Sequence, residues 1–465
     1  MPRSGWVKPE SDRRLSDLVS VGLLTRVFPA DVVDSVIADV GRTEVRQRAL
    51  PARVVAYFSI GMALYSEGSY EDVFAQLTDG LSWTTGWMQS WSPPTKSAIF
   101  QARSRLGFEP VRELFARVAH PVARADTPGS WLAGRRLVAI DGTCVDVPDT
   151  PVNADFFGRP PASRGEQSAF PQARLVAVAE CGSHAVFDAV LGPCRTSEIE
   201  LARELVARLE PGMLVLADRG LYGFKLWSQA AATGADLLWR VKTTLRPRHR
   251  ETLPDGSWLA RIVATSGPNR ASTPPLNVRV IDYTIDDGRD NPEQYRLLTT
   301  ILDPDQASAS ELAAAYTQRW EIESVFDELK SHQRGPRAVL RSKSPDLVQQ
   351  EMWGHLCCHF AIRTLMLDAA IHAGHDPDRI SFVAALRIAR RSLSHSSFSP
   401  HNRDAVTTLW QCAISKLAQR INPNRRVRAN PRVVKRKVLK WAAKRSRHTR
   451  WPQPSHHPQI SIALN

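Results

Sequence analysis

Cysteine is scarce here: six in 465 residues, too few for a disulfide framework to be the basis of the fold, and reduced thiols are expected. No uncharged apolar run approaches the roughly 18 residues that span a bilayer. The leucine-rich stretch near the N-terminus is interrupted by Asp17 and Arg26, which argues against a secretory signal. Glycine-rich phosphate loops and G-x-S-x-G turns are absent, so ATP-driven and serine-hydrolase chemistries are disfavoured. Acidic residues are missing altogether after Asp404. The expectation is a soluble, cytoplasmic chain with no membrane partner.

What is present is the composition of a folded protein, 43% apolar and 8% aromatic, with length for two to four structural units. Its net charge of +14 is unevenly placed. From Ala405 onward there are 14 basic residues and no acidic one, which leaves 47 of each sign before it. The excess sits in runs such as Arg425-Arg426-Val427-Arg428 and Lys435-Arg436-Lys437. A one-sign block of this kind suits a polyanion, and counterion release favours nucleic acid. A membrane surface fits less well, since no strongly apolar helical face accompanies the charge.

Residues 10–125 read as helical. Val32, Val33, Val36, Ile37 and Val40 recur at helical spacing after Phe28-Pro29-Ala30-Asp31, and Val54 to Tyr65 is apolar nearly all round. Ser92-Pro93-Pro94-Thr95 starts a helix whose Lys96, Arg103 and Arg105 could touch DNA phosphates, or could simply form a wet basic face. Near residue 131 β-branched runs begin: Arg136 to Val147, then Ala173 to Leu191, broken like a hairpin at Cys181-Gly182-Ser183. Ser197 caps a helix, and Met213 to Ala217 forms a short buried strand stopped by Asp218-Arg219-Gly220. Hairpin strands followed by strands alternating with helices predict a mixed α/β sheet. The expected division is a helical region 1–130, a core in two parts (131–242 and 296–400), a β-rich insertion 243–295 and a basic tail 401–465.

Three acids stand out. Asp141 lies in the first strand, before Gly142-Thr143. Asp218 closes an apolar strand, where a buried carboxylate is costly unless it pairs or ligates, and where ligands gather in open α/β sheets. Asp146 and Asp149 are weaker rivals to Asp141. On the helix near residue 320, Tyr316, Arg319, Glu323 and Lys330 project at roughly 0°, 300°, 340° and 320°. This stripe, which Asp327 shares, borders the apolar residues Ile322, Phe326 and Leu329. A buried ion-pair network would explain it, and so would a site. Three carboxylates from two strands and a helix can hold a pair of Mg²⁺ ions for phosphoryl transfer, while Arg319 and Lys330 steer phosphates. Histidines and thiols also cluster at His355-Leu356-Cys357-Cys358-His359; zinc could take that spacing, but an apolar helix around it favours core packing.

Tyr316-x2-Arg319-x3-Glu323-x6-Lys330 resembles the Y-R-E-K signature of bacterial insertion-sequence transposases of the DDE type, in the insertion-sequence-four group. Asp141-Gly142-Thr143 with Pro148-Asp149-Thr150-Pro151-Val152-Asn153 is similar to that group's first-aspartate motif, and Asp218-Arg219-Gly220-Leu221-Tyr222 to its second. The resemblance covers roughly residues 15–400 and implies an α/β fold: an RNase H-like mixed-sheet catalytic core with a β-rich insertion, preceded by an all-helical N-terminal domain. It implies cutting of transposon ends and joining to target DNA, with Mg²⁺ (Mn²⁺ as substitute, two ions) held by Asp141, Asp218 and Glu323. Glu323 is then the ligand ahead of Asp327, and Tyr316, Arg319 and Lys330 bind DNA. Terminal inverted repeats, a target duplex and a second copy of the chain are the partners implied, on the nucleoid of a bacterial cell. Trp239, Trp258 and Trp320 are candidates to stack a flipped base, with core packing as the plainer role. An RNase H-like nuclease that never joins strands, and a non-catalytic protein that only binds transposon ends, are the competing readings.

Overall fold

Two prolines begin the helical part of the chain. In the computed structural model, Pro29 and Pro51 hold extended backbone as N-caps of α1 (Ala30–Asp39) and α2 (Ala52–Leu64). That model describes residues 18–46, 48–84, 93–160, 168–264, 273–286, 294–335, 339–394, 400–423 and 461–464; the basic runs at 425–428 and 435–437 lie outside them. Val33, Val36 and Ile37 turn inward from α1, and α2 is buried from Arg53 to Leu64, as its all-round apolarity predicts. Next come α3 (Tyr70–Thr84), α4 (Lys96–Leu106) and α5 (Glu109–Val118). The Thr95 hydroxyl accepts from the Ala98 N–H to cap α4, and Gly107 ends it at φ +73°.

The basic face expected on α4 is only partly there. Arg103 is fully buried, donating to Gln350 at 2.8 Å, Ser342 at 3.1 Å and the Leu347 carbonyl at 3.2 Å. It holds α4 to a distant helix and is not a DNA contact. Lys96 remains exposed and Arg105 half-buried.

The sheet begins with β1 (Trp131–Leu132) and β2 (Arg135–Asp146), then α6 (Pro151–Phe157), β3 (Gln172–Glu180) and β4 (Val186–Pro193). Ser197 caps α7 (Glu198–Val206), which leads to β5 (Met213–Ala217), α8 (Phe224–Ala231) and β6 (Asp236–Val241). Strands β7 (Arg248–Thr252), β8 (Trp258–Ile262), β9 (Leu276–Asp286) and β10 (Gln294–Thr299) complete the main run. The order across the sheet is β4-β3-β2-β5-β6-β10-β9-β8-β7. Strands β2, β5 and β6 are parallel, and the rest of that path pairs antiparallel. This is the mixed sheet of an RNase H-like core. The β-rich strands 248–286 do not stand apart; they extend the same sheet beyond β10.

Alternation along β2 feeds two cores. Leu137 and Ala139 face the layer of N- and C-terminal helices; Val138 and Ile140 face α7 and α8. The first layer is completed by α9 (Ala309–Tyr316), α10 (Trp320–Asp327), α11 (Pro345–Ala373), α12 (Phe382–Ser394) and α13 (Arg403–Ala418). Helix α11 is long and apolar enough to cross a membrane, yet 72% of its most apolar window is buried inside the fold. A Cβ at Gly354 would stand 2.3 Å from the Ser59 carbonyl, so glycine is what lets α11 approach α2 this closely. His355, Cys357, Cys358 and His359 are all interior, and burial drives the His355 imidazole down to about 3. All four are packed into the interior along α11, where His359 Nε2 also meets Glu328 at 3.0 Å.

The start of the expected tail is folded as well. Trp410, Ile414 and Leu417 of α13 are buried, and Trp410 Nε1 donates to Asp368 at 2.9 Å. A final strand, β11 (Ser461–Leu464), pairs antiparallel with β9.

Candidate active site

Strand parity aims Asp141 at the α10 layer, because it follows Leu137 and Ala139 on the same side of β2. The Gly142 N–H donates to Asp141 Oδ1 at 2.8 Å. Gly142 itself faces the other way, where a Cβ would lie 2.6 Å from the Glu198 carboxyl carbon. Asp218 comes directly after β5, in a turn closed by the Leu221 N–H on its carbonyl at 3.0 Å. Its Oδ1 is buried without a hydrogen-bond partner, a costly state for a carboxylate oxygen.

The helical stripe is less regular than uniform α-turns predict. Helix α9 tightens into a 3₁₀ turn at Thr317–Arg319, α10 follows, and a π turn covers Glu328–Gln333. Tyr316 is 2% exposed, and its hydroxyl donates to the carbonyl of Ala217, next to Asp218, at 3.3 Å. Arg319 is 3% exposed and stands between two of the acids, 3.5 Å from Asp141 Oδ2 and 3.2 Å from Glu323 Oε1. Burial alone would lower its pKa; Tyr316, Asp218, Asp141 and Glu323 together outweigh that and raise it. Glu323 remains substantially open to solvent, and Lys330 is half-buried, its ammonium lowered by burial. Asp141 and Glu323 therefore flank one guanidinium, which also feels the charge of Asp218.

The rivals are occupied elsewhere. Asp146 accepts from Gln172 at 2.8 Å, Asp149 pairs with Arg159 and Asp327 accepts from Ser331 at 2.6 Å. Of the tryptophans, Trp239 is fully buried and packs edge-on against Trp227, and Trp258 donates to Asp282. Trp320 alone of the three is exposed, with the Arg319 guanidinium 4.5 Å from its ring centroid.

Burial pushes the Asp141 carboxyl up to about 7; the charges of Glu198 and Glu323 add to the rise, while the Gly142 N–H and Arg319 oppose it. A crowded oxygen-donor set, with one acid raised, one oxygen orphaned and a cation already drawn among them, fits a hard divalent ion.

Several groups escaped the sequence. Glu198 is one. A second set lies behind α10: His184, in the turn after β3, places Nε2 3.0 Å from Asp378 and 3.3 Å from Glu321. These ligand-type atoms lie within 4.8 Å of one another, as a cation site would require. However, an Arg363 N–H points at His184 Nδ1 from 2.5 Å, so a ring hydrogen belongs on Nε2, which faces the two carboxylates. Arg363 also binds Glu328, at 2.5 Å and 2.9 Å, and Glu321 accepts from the Gly182 N–H at 2.5 Å. The set clamps α10 from behind. No local spacing connects residues 184, 321, 363 and 378.

Residues 18–116 match the family described as insertion element 4 transposase N-terminal, and residues 132–361 match the transposase DDE domain. The chain is 30% identical over 414 residues to the transposase InsG for insertion sequence element IS4 of Escherichia coli K12, covering 88% of this chain and 91% of that protein. A cryo-EM structure of the piggyBac transposase synaptic complex with hairpin DNA aligns over 90% of this chain and 88% of its own, with 12% identity and a TM-score of 0.43. That last likeness is too distant to place any residue here. By its two family matches and its full-length relative, the chain belongs to the IS4 family: it is a DDE transposase of an insertion sequence, an enzyme that acts on DNA.

Proposed function

We propose that the chain cuts the terminal inverted repeats of its element and joins them to a target duplex, using Asp141, Asp218 and Glu323 as the reaction centre. The observation that carries this reading is the Arg319 guanidinium between Asp141 and Glu323, raised also by the charge of Asp218, whose Oδ1 is buried without a partner. Mg²⁺ ions held by these acids, or Mn²⁺ in their place, would supply the charge for attack by water or a 3′-hydroxyl on phosphorus and for departure of the leaving oxygen.

The protein's own residues do the rest. Tyr316 ties the end of β5 to α9, so it fixes where Asp218 stands. At 2% exposure its first task is to position the acid, and contact with DNA near the cut phosphate is its second. Arg319 holds the acids' negative charge in the described state; once cations meet that charge, its planar donors are left for a phosphate. Lys330, lowered by burial on the π turn, supplies a second cation close by. Two copies of the chain, one for each end, fit the need to bring both ends together.

A duplex carrying the element's ends, incubated with the protein, Mg²⁺ and a plasmid, tests this. Cut ends and joined products are expected. Cutting without joining supports a plain nuclease instead, and end binding without either sinks the catalytic reading.

A further inference from the structure

Joining one DNA to another needs two nucleic acids at one set of carboxylates, and so two surfaces. Given the strand-joining reading above, on which this inference rests, the first lies on the α9–α10 side, with Arg319 and Lys330. A cleft of about 750 Å³ beside α10 has Glu323 and Asp327 in its lining together with Glu328, Asp378, His184 and Arg363 of the clamp. On the opposite face of the sheet lies a second cleft of about 420 Å³, where α7, α8, the turn before α8, the β6–β7 loop and β8 meet. Its lining includes Arg203, Lys225, Arg246, Arg248 and Arg261, and no acidic residue.

We propose that this basic cleft holds the phosphate backbone of the target duplex. Its charge is uncompensated. Arg203, Lys225, Arg246 and Arg248 are exposed, Arg246 donates only to the Thr243 carbonyl and Arg261 to Asn277, and none of the five makes an ion pair among the described residues. Four separate segments converge to place these cations, which an incidental run of surface charge would not require. The cleft also shares a loop with the reaction centre: Tyr222 and Gly223, which line it, come four and five residues after Asp218.

The choice of target over element ends follows from what the lining lacks. Its side chains are cationic, aliphatic or aromatic: the arginines can meet guanine, but no amide or carboxyl is there to pair with adenine or cytosine edges. Phosphate contacts position a duplex without reading it. That suits a partner of arbitrary sequence better than a defined inverted repeat.

The test is the triple variant Lys225→Gln, Arg246→Gln, Arg248→Gln, exposed positions whose change leaves the cores alone. Wild type and variant are compared for binding and cutting of the element's ends, and for capture of and joining to plasmid of unrelated sequence, across a salt series. Expected are unchanged end cutting, joining reduced by at least about tenfold at moderate salt, and a slope of log target affinity against log salt shallower by about 0.9 for each phosphate left without its cation. Target capture and joining at wild-type levels would overturn the proposal. Equal losses at ends and target would also overturn it, assigning the cleft to DNA in general. If wild type itself fails to join, the strand-joining reading falls first, and the cleft is judged by target binding alone.

Discussion

Asp141 shows how one residue's surroundings set its chemistry. Its carboxyl is raised to about 7 in the fold, from 3.8 in an unfolded chain, so the folded state holds a proton that the unfolded state has released. By linkage, the cation-free protein loses stability as pH climbs between those values. A divalent ion must displace the same proton. The Mg²⁺ concentration for half-maximal cutting should therefore fall as pH rises from 6 to 8, and Glu198→Gln, which removes a like charge, should move that dependence to lower pH. A metal titration at each pH checks both, and a variant profile overlying wild type would remove Glu198 from the account. Asp141→Ala, Asp218→Ala and Glu323→Ala should each lower cutting on the order of 10³-fold or more while end binding persists. Loss of end binding in all three, by gel shift, would make the acids structural.

At the level of elements, the clamp behind α10 carries the mechanical argument. Glu321 and Glu328 are about two turns apart on nearly one side of the helix, and Glu323 points roughly 140–160° away from them. Holding the rear face fixes where the front acid stands. Arg363→Met leaves Glu328 buried with His359 as its remaining hydrogen-bond partner, Nε2 at 3.0 Å, and should cost up to about 3–5 kcal/mol in denaturant melts. Adding Glu328→Gln to that variant should return part of it; no recovery would mean that Arg363 acts through packing alone. Much at this scale was legible in the sequence: the Thr95 and Ser197 caps, the hairpin at Gly182 and the buried β5 all declare themselves within a few residues. What was not legible depends on distant partners. Arg103 reads as a surface cation until Gln350, 247 residues away, takes its N–H. His184 means nothing until Arg363 arrives from 179 residues downstream. The 3₁₀ and π turns around α10 likewise leave no mark in apolar periodicity.

Across the whole molecule, charge and connectivity have to be considered together. Truncation at residue 405 would remove α13 with its buried Trp410, so the informative change is confined to residues 424–460. Replacing the lysines and arginines there by glutamine should leave folding intact and flatten the salt dependence of DNA binding by about 0.9 for each phosphate the segment had neutralised. Superimposable slopes would show that the segment never meets the backbone. The chain is fastened on both sides of this segment. Upstream, Asn422 exchanges hydrogen bonds with Arg379, its N–H to that carbonyl at 2.8 Å and its own carbonyl from Nε at 2.6 Å; downstream, β11 lies along β9. At about 3.4 Å per residue the contour between the anchors is roughly 125 Å, so no point of the segment can stray farther than about 60 Å from the nearer one. A free end would let its cations sweep the surrounding solution and seize any polyanion within reach. Cations on a segment held at both ends reach DNA as part of one molecule, so each phosphate they meet after DNA has arrived is an intramolecular partner.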